Sequence, residues 1–250
     1  MPTRPRIGCH QIDSSWRRWR GRWRPEKPQE NGLTARSVNG DNPGMARPIS
    51  AAHGLRRDEI LNVAADCFAR QSYPATSMND IAAAGGTSKA RLYHYYESKE
   101  AILFDLLDRY TQKLLVIIGQ VQATAQRKGL DERATLHELV RAFLCEYETS
   151  ATRHAALLGS TQFLGEEQRE IILNRERDVV SAVTRFLRRA YPERVQAHNQ
   201  TAIAMTLFGM INWTFTWLRP GGSMSYPQFA EEVLALLDRG LVLGAGGGAA

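Results

Sequence analysis

Residues 76–100 constrain this chain more than any other stretch: Thr-Ser-Met-Asn-Asp-Ile-Ala-Ala-Ala-Gly-Gly-Thr-Ser-Lys-Ala-Arg-Leu-Tyr-His-Tyr-Tyr-Glu-Ser-Lys-Glu. Ser77-Met-Asn-Asp80 has the spacing of a capping box, with Asp where Glu or Gln is usual. A short helix over about 78–84 therefore ends at Gly85-Gly86, where glycine permits the turn. Thr87 or Ser88 caps a second helix over about 88–95, and Ser98 caps another, with Glu100 in its first turn. Leu92 and Tyr96 are four residues apart and share a face, so they anchor the second helix. Lys89, Ala90, Arg91, Tyr93 and His94 are left on its outer sides. Helix, glycine turn and basic second helix form the layout that places a helix in the DNA major groove.

The outward residue types suit that task. Arg91 has the fork that donates two hydrogen bonds to guanine O6 and N7. His94 and Ser88 suit base-edge or phosphate contacts, and Ala90 is small enough to let the helix approach the groove. Tyr93, Lys99 and Thr76 are placed for phosphates, and backbone N–H groups at the Ser98-capped helix add an anion site. Charge alone does not argue for DNA. Residues 1–44 hold nine Lys/Arg and four Asp/Glu, so they carry +5 of the net +6, and the rest is nearly neutral. Placement of the basic residues must carry the argument.

With Ile60, Ala64 and Phe68 at helical spacing before it, this region resembles the TetR family of bacterial regulators. The resemblance spans about 56–103. It rests on those three residues, the Tyr73 to Thr76 segment, Ile81-Ala82, Gly86, Ser88, Leu92-Tyr93-His94-Tyr95-Tyr96 and Ser98-Lys99-Glu100. The chain departs from the family pattern in four places. Gly85-Gly86-Thr87 stands for the usual Ala-Gly-Val, Ala90 for a common Gly, Tyr96 for a Phe, and Arg91 for a usually small residue. The resemblance implies an all-helical C-terminal domain that dimerises and binds an inducer, and a repressor that reads a near-palindromic operator of double-stranded DNA. The C-terminal half resembles, more loosely, acyl-CoA-responsive members, through Thr161-Gln162-Phe163-Leu164 and the run Phe208 to Pro220. Phe143, Tyr147, Phe163 and Trp213 are the candidate pocket walls. Arg175, with Arg177, Arg185, Arg188 and Arg189, is available for the phosphates of such an effector. The solvated helix face is the plain alternative for these arginines.

The remaining pattern is all-α. Helical periodicity runs over about 56–70, from 98 to about 125, then 132–151, 154–162, 167–190, 196–218 and 226–241. Arg219-Pro220-Gly221-Gly222 breaks the last two apart. The helix over 196–218 is apolar nearly all round and demands burial on several faces. Paired with 226–241, it can supply half of a four-helix bundle between two chains, the dimer that the resemblance implies; the alternative is that these faces close an intramolecular core. The expected domains are a disordered basic extension (1–50), a helix-turn-helix domain (51–100), a ligand-binding and dimerisation domain (101–242) and a disordered Gly/Ala tail (243–250).

Met45-Ala-Arg-Pro-Ile-Ser reads as an ordinary translation start, which would make 1–44 the product of a start codon placed too early. The other reading gives Trp16, Trp19 and Trp23, interleaved with arginines, a contact with nucleic acid or lipid headgroups. Cys9, Cys67 and Cys145 are sparse and lack metal-ligand spacing, which fits a reducing cytoplasm and no metal. Residues 195–218 carry no formal charge, yet Gln, Asn, His and Thr interrupt them, which argues against a membrane span. His137-Glu138-Leu-Val-Arg141 lacks the second His of a metalloprotease motif. No phosphate loop or nucleophile elbow appears, so no enzyme and no cofactor are expected beyond an apolar or acyl-CoA-like effector. The competing reading is a helical ligand-binding or partner-binding module without specific DNA binding.

Overall fold

Ser77, Ser88 and Ser98 start three successive helices, and each does so by accepting a backbone N–H three residues on. The computed structural model describes residues 49–219 and 221–242, with side chains over 56–219 and 221–241. The readings of 1–44 and of the 243–250 tail lie outside those residues. Every regular element among the described residues is helical. The first three are α1 (Ile49–Gln71), α2 (Met78–Ala84) and α3 (Lys89–Tyr95). The long α4 (Lys99–Lys128) follows, then α5 (Glu132–Thr149) and α6 (Ala151–Ser160), a 3-10 turn at Thr161–Phe163, and α7 (Glu166–Ala190). The chain continues through α8 (Gln200–Ile211), the single turn α9 (Thr214–Trp217) and α10 (Tyr226–Val242).

Local chemistry sets the boundaries. At α2 the capping box is complete: Asp80 N–H donates to Ser77 Oγ at 3.2 Å and Ser77 N–H to Asp80 Oδ2 at 2.8 Å. The Ser77 hydrogen bonds hold the Asp80 carboxyl below its ordinary range. Gly86 takes φ +58°, a left-handed conformation that a side chain would resist, and it turns the chain into α3. Gly129, at φ +62°, ends α4 in the same way.

Two helices depart most from the periodicity. Helix α1 starts at Ile49 rather than near 56. The helix expected over 196–218 starts at Gln200 and breaks after Ile211. Asn199 explains the late start. Its side chain accepts from Gln196 N–H at 2.8 Å and donates to Arg194 O at 2.9 Å, which ties this turn down in non-helical form. At the break, Thr214 Oγ1 donates to Ile211 O at 3.0 Å and competes for a carbonyl of the preceding turn.

The core follows from which faces are apolar. Leu61, Ala64 and Phe68 of α1, Met78 and Ile81 of α2, and Leu92 and Tyr96 close the three-helix head. Helix α4 then runs on without interruption, burying Leu103, Leu106, Leu107, Tyr110 and Leu114. It packs against α5, α6 and α7, while α5 and α8 pack against α10. Arg141 of α5 grips Glu231 of α10 through Nε at 2.7 Å and Nη2 at 3.2 Å.

Leu92 is the single apolar residue that α3 buries, at 0% exposure. Leu92→Ala should therefore cost about 2–5 kcal/mol through lost burial and a cavity. Urea titration should show a lower midpoint, and an unchanged midpoint would mean that α3 is held by other contacts.

Candidate nucleic-acid interface and effector core

With Leu92 and Tyr96 turned inward, α3 presents three parallel stripes. Ala90 and His94 lie opposite Leu92 and form the outermost one. Lys89 and Tyr93 flank it on one side, with Lys89 Nζ 5.9 Å from the Tyr93 ring centre. Arg91 and Tyr95 flank it on the other. Ser88, Lys89, Ala90, Arg91, Tyr93 and His94 are all exposed, so the fold brings these six expected residues onto one surface. Arg91 sits on the α1 side, where it borders a cavity of about 30 Å³ with Arg56, Glu59 and Ile60. Ser88 Oγ accepts Arg91 N–H at 3.2 Å and caps the helix.

Thr76 and Lys99 depart from the expected phosphate-facing positions. Thr76 is buried, at 1% exposure, and its hydroxyl donates to Ser72 O at 2.8 Å and Cys67 O at 3.3 Å. It closes the turn in which Ser72 takes φ +69° and offers no side-chain donor to solvent. Lys99 Nζ donates to Tyr73 O at 2.8 Å and Thr76 O at 2.6 Å and lies 4.3 Å from the Tyr73 ring centre. Desolvation pulls its ammonium below the ordinary lysine value. Two of its three N–H donors are thus engaged in holding the segment before α2, leaving one to point outward.

The head is tied to the rest by a charged seam. Asp105 of α4 accepts Tyr96 OH at 2.5 Å and Arg109 Nε at 2.7 Å, and Arg57 Nε of α1 lies 3.7 Å from it. Arg109 also reaches Asp58 at 2.7 Å. Arg153 of α6 donates to Asn62 of α1 at 2.6 Å, and Gly165 N–H donates to Glu100 Oε1 at 2.7 Å. Phe163 belongs to this seam: its ring stacks on Tyr73 at 5.2 Å. The expectation of Phe163 as a pocket wall is corrected, because the 3-10 turn carries it onto the head.

Two of the other expected pocket residues do meet. Phe143 and Tyr147, one helical turn apart, are stacked at 5.9 Å and almost fully buried. Beside them sits a polar knot that no local spacing announced. His154 Nε2 lies 3.1 Å from Asn212 O, and its Nδ1 lies 3.1 Å from Tyr110 OH. A carbonyl only accepts, so Nε2 carries the proton and Nδ1 accepts from Tyr110. Tyr147 stacks on His154 at 3.9 Å and donates to Asn212 Oδ1 at 3.3 Å. These partners are 44 to 65 residues apart in sequence, which is why only their packing reveals them.

Trp213 and Arg175 lie elsewhere. Trp213 is 57% exposed, because the break after Ile211 turns it out of the core. Arg175 makes an ion pair with Asp108 of α4 and donates to Asp108 O at 3.1 Å, so its guanidinium joins α7 to α4 rather than waiting for a phosphate. Among the described residues, no cluster of three or more His, Cys, Asp or Glu could hold a metal, and no helix is long and apolar enough to cross a membrane.

Residues 60–106 match the family described as bacterial regulatory proteins, tetR family, and residues 129–241 match the tetracyclin repressor-like C-terminal domain. The crystal structure of a TetR-family transcriptional regulator from Bordetella parapertussis 12822 is 37% identical, covering 73% of this chain and 93% of that one, with a TM-score of 0.68. The chain belongs to the TetR family. Among its TetR-type relatives, the HTH-type transcriptional repressor KstR2 of Rhodococcus jostii RHA1 is 28% identical over 209 residues, 80% of this chain and 97% of that protein. AibR, solved in complex with isovaleryl coenzyme A and operator DNA, is 25% identical with a TM-score of 0.63, covering 72% of this chain and 97% of its own. The TetR-family head is α1–α3, and the chain is a helix-turn-helix DNA-binding transcriptional regulator.

Burial lowers the pKa of His154 to about 4, from an ordinary 6.5. The unfolded chain therefore binds a proton near pH 6.5 that the folded chain refuses until about pH 4. Stability linked to this imidazole is complete above pH 6.5, is lost as pH falls toward 4, and levels off below, a loss of about 3 kcal/mol. Denaturant titrations across that window should fall more steeply for the wild type than for His154→Gln. Equal slopes would mean that the imidazole is already protonated in the fold.

Proposed function

We propose that the protein is a ligand-responsive repressor that binds a near-palindromic operator as a dimer and is released by a small apolar or acyl-CoA-like effector. The observation that carries this reading is the α3 surface: an Ala90–His94 stripe flanked by Lys89 and Arg91 and held by two inward anchors. We assign His94 and Arg91 to base edges and Lys89, Tyr93 and Ser88 to edges or phosphates. Lys99 contributes chiefly by fixing the turn before α2, with its third N–H directed to a phosphate. Residues 51–100 form the DNA-reading domain and 101–242 the effector and dimer domain, although α4 runs through the boundary between them.

The dimer is assigned to α8–α9 and α10. Met205, Trp213 and Trp217 on the first and Leu236 on the second are between 50% and 60% exposed, an unusual set of large apolar groups to leave to water. On that surface α8 carries no charged residue. A twofold pairing there gives two α3 helices that match an operator repeat about 34 Å apart, or a multiple of it. The complex of AibR with isovaleryl coenzyme A supports an acyl thioester as the effector class. The regulator relatives support a protein without catalysis that works in the cytoplasm.

Genomic footprinting with the purified protein tests the reading directly, and no protected site at low salt would sink it. Arg91→Ala should cost ~1–3 kcal/mol at one operator position and relax preference there, whereas Lys99→Ala should weaken all DNA alike. If both variants lose affinity in the same sequence-independent way, the two roles are misassigned. Met205→Glu should convert the dimer to monomer in sedimentation while keeping its helicity; a variant that stays dimeric moves the interface elsewhere.

A further inference from the structure

Gly85, Thr87 and Arg91, which depart from the family pattern at separate points of the sequence, border one gap between α1 and α3. The gap measures about 30 Å³, enough for a water molecule. Glu59, Ile60 and Val63, one stripe of α1, form its other wall. Gly85 keeps it open, because a methyl group there would stand 3.8 Å from Val63 Cγ1 and 3.2 Å from Ile81 O. The Thr87 hydroxyl stands where the pattern has an apolar residue and has no hydrogen-bond partner among the described residues. The rim of the gap is therefore polar.

Arg91 leaves α3 sideways. It stands about 100° round the helix from the outermost Ala90 and about 100° from the buried Leu92. Its stem therefore runs along the α1 edge, and only its guanidinium is long enough to reach a base. A side chain used in this way gives up much rotamer freedom on binding unless a second group holds it. Across the gap stands the Glu59 carboxylate. Arg56 Nη1 donates to its Oε2 at 2.7 Å, while Oε1 has no partner among the described residues. The Arg91 guanidinium has no hydrogen-bond or ion-pair partner there either. A carboxylate oxygen and a guanidinium thus flank one water-sized gap, and a change of rotamer is enough to close it. Guanine O6 and N7 take two of the five donors of an arginine, so donors remain for a carboxylate while the base is bound.

We propose that Glu59 is a positioning residue for Arg91: in the DNA complex its carboxylate accepts from the guanidinium and holds the fork in the plane of a guanine. The proposal rests on the assignment of Arg91 to a base edge. Gly85 and Thr87 leave the space in which the two groups meet. Charge-assisted bonds between a carboxylate and an arginine fix direction as well as adding strength. A carboxylate beside the reading helix with no such role would only repel phosphates, so the two possibilities predict opposite signs.

Selection of bound sites from a randomised operator, with the full chain, reads the base preference at each position. Arg91→Ala identifies the position that Arg91 reads. There, Glu59→Gln should lower the preference for guanine about threefold or more, while affinity for unrelated DNA stays level or rises. In the Arg91→Ala background it should change no preference. Glu97→Gln, which removes one exposed carboxylate just beyond α3, should leave the preference intact. The Glu59 side chain is 62% exposed, so its substitution leaves the core untouched. Stronger binding to all sequences alike, as for Glu97→Gln, would reduce Glu59 to a background charge and overturn the proposal. A loss of preference that persists without Arg91 would overturn it too, since Glu59 would then act elsewhere. If Arg91→Ala relaxes one position and Glu59→Gln does not, the positioning role fails and the base-reading assignment stands. If Arg91→Ala relaxes none, that assignment fails first and the positioning role falls with it.

Discussion

The two hydrogen bonds from Lys99 to Tyr73 O and Thr76 O are the contact on which the arrangement of the head depends. They join the first residue of α4 to the segment that launches α2. Tyr73 O also accepts the Thr76 N–H at 3.3 Å, so the ammonium ties an already formed turn to α4, and hydrogen bonds to a charged group contribute about 1.5–3 kcal/mol each. The same segment is held from the other side, because Tyr73 is covered by Phe163 and Thr76 is bonded to Ser72. Since α4 has 30 residues, roughly 45 Å of continuous helix extends from this knot into the effector domain. Its far portion is lined by Tyr110 and by Leu114, against the helices that carry His154 and Phe143. A displacement of α4 by an effector therefore reaches the DNA-reading helices through defined bonds.

Helix α3 cannot set its own orientation. Seven residues are too few for a stable helix in water, and one buried leucine is a small anchor. Tyr96, just beyond its end, supplies the second anchor through its bond to Asp105, which also accepts from Arg109. Asp105 thereby refers the angle of α3 to α4, and Arg57, 4.8 Å over the Tyr96 ring, refers it to α1. Neutralising Asp105 would loosen three elements at once, which places this carboxylate among the residues that position the site without touching DNA.

Helix register and capping were readable because they are local. Leu92 and Tyr96 face inward as their spacing requires, and Ser77 with Asp80 forms the expected box despite the shorter acid. The misplacements share one cause. Residue type points Phe163, Trp213 and Arg175 to an effector and Thr76 to a phosphate, but what each touches is set by its packing partners or by a backbone break. Arg175 meets Asp108 across 67 residues, and Phe163 meets Tyr73 across the whole body of the chain between them. Trp213 faces outward because Asn212 turns its amide and carbonyl toward Tyr147 and His154, a knot that periodicity does not encode. The basic side of α7 was half legible. Its arginines were visible as a group, while their sorting into paired and unpaired members required Asp108 and Glu170 to be placed.

That sorting also explains how a neutral head can face DNA. Residues 56–100 contain six Lys/Arg and six Asp/Glu, so net charge predicts no attraction. Two of the acids pair with arginines, Asp58 with Arg109 and Glu59 with Arg56, and two accept from neutral donors, Asp80 from Ser77 and Glu100 from the Gly165 N–H. Lys89 and Arg91 have no carboxylate partner among the described residues, and both stand on the exposed helix. A phosphate approaching α3 therefore meets two cations that no carboxylate engages directly. At short range the field of a surface is set by such placement rather than by the sum, since more distant charges are screened. The same logic separates Arg185 and Arg188 from Arg175 and Arg177 on α7, where pairing, not residue type, decides which guanidinium groups remain available to an anion.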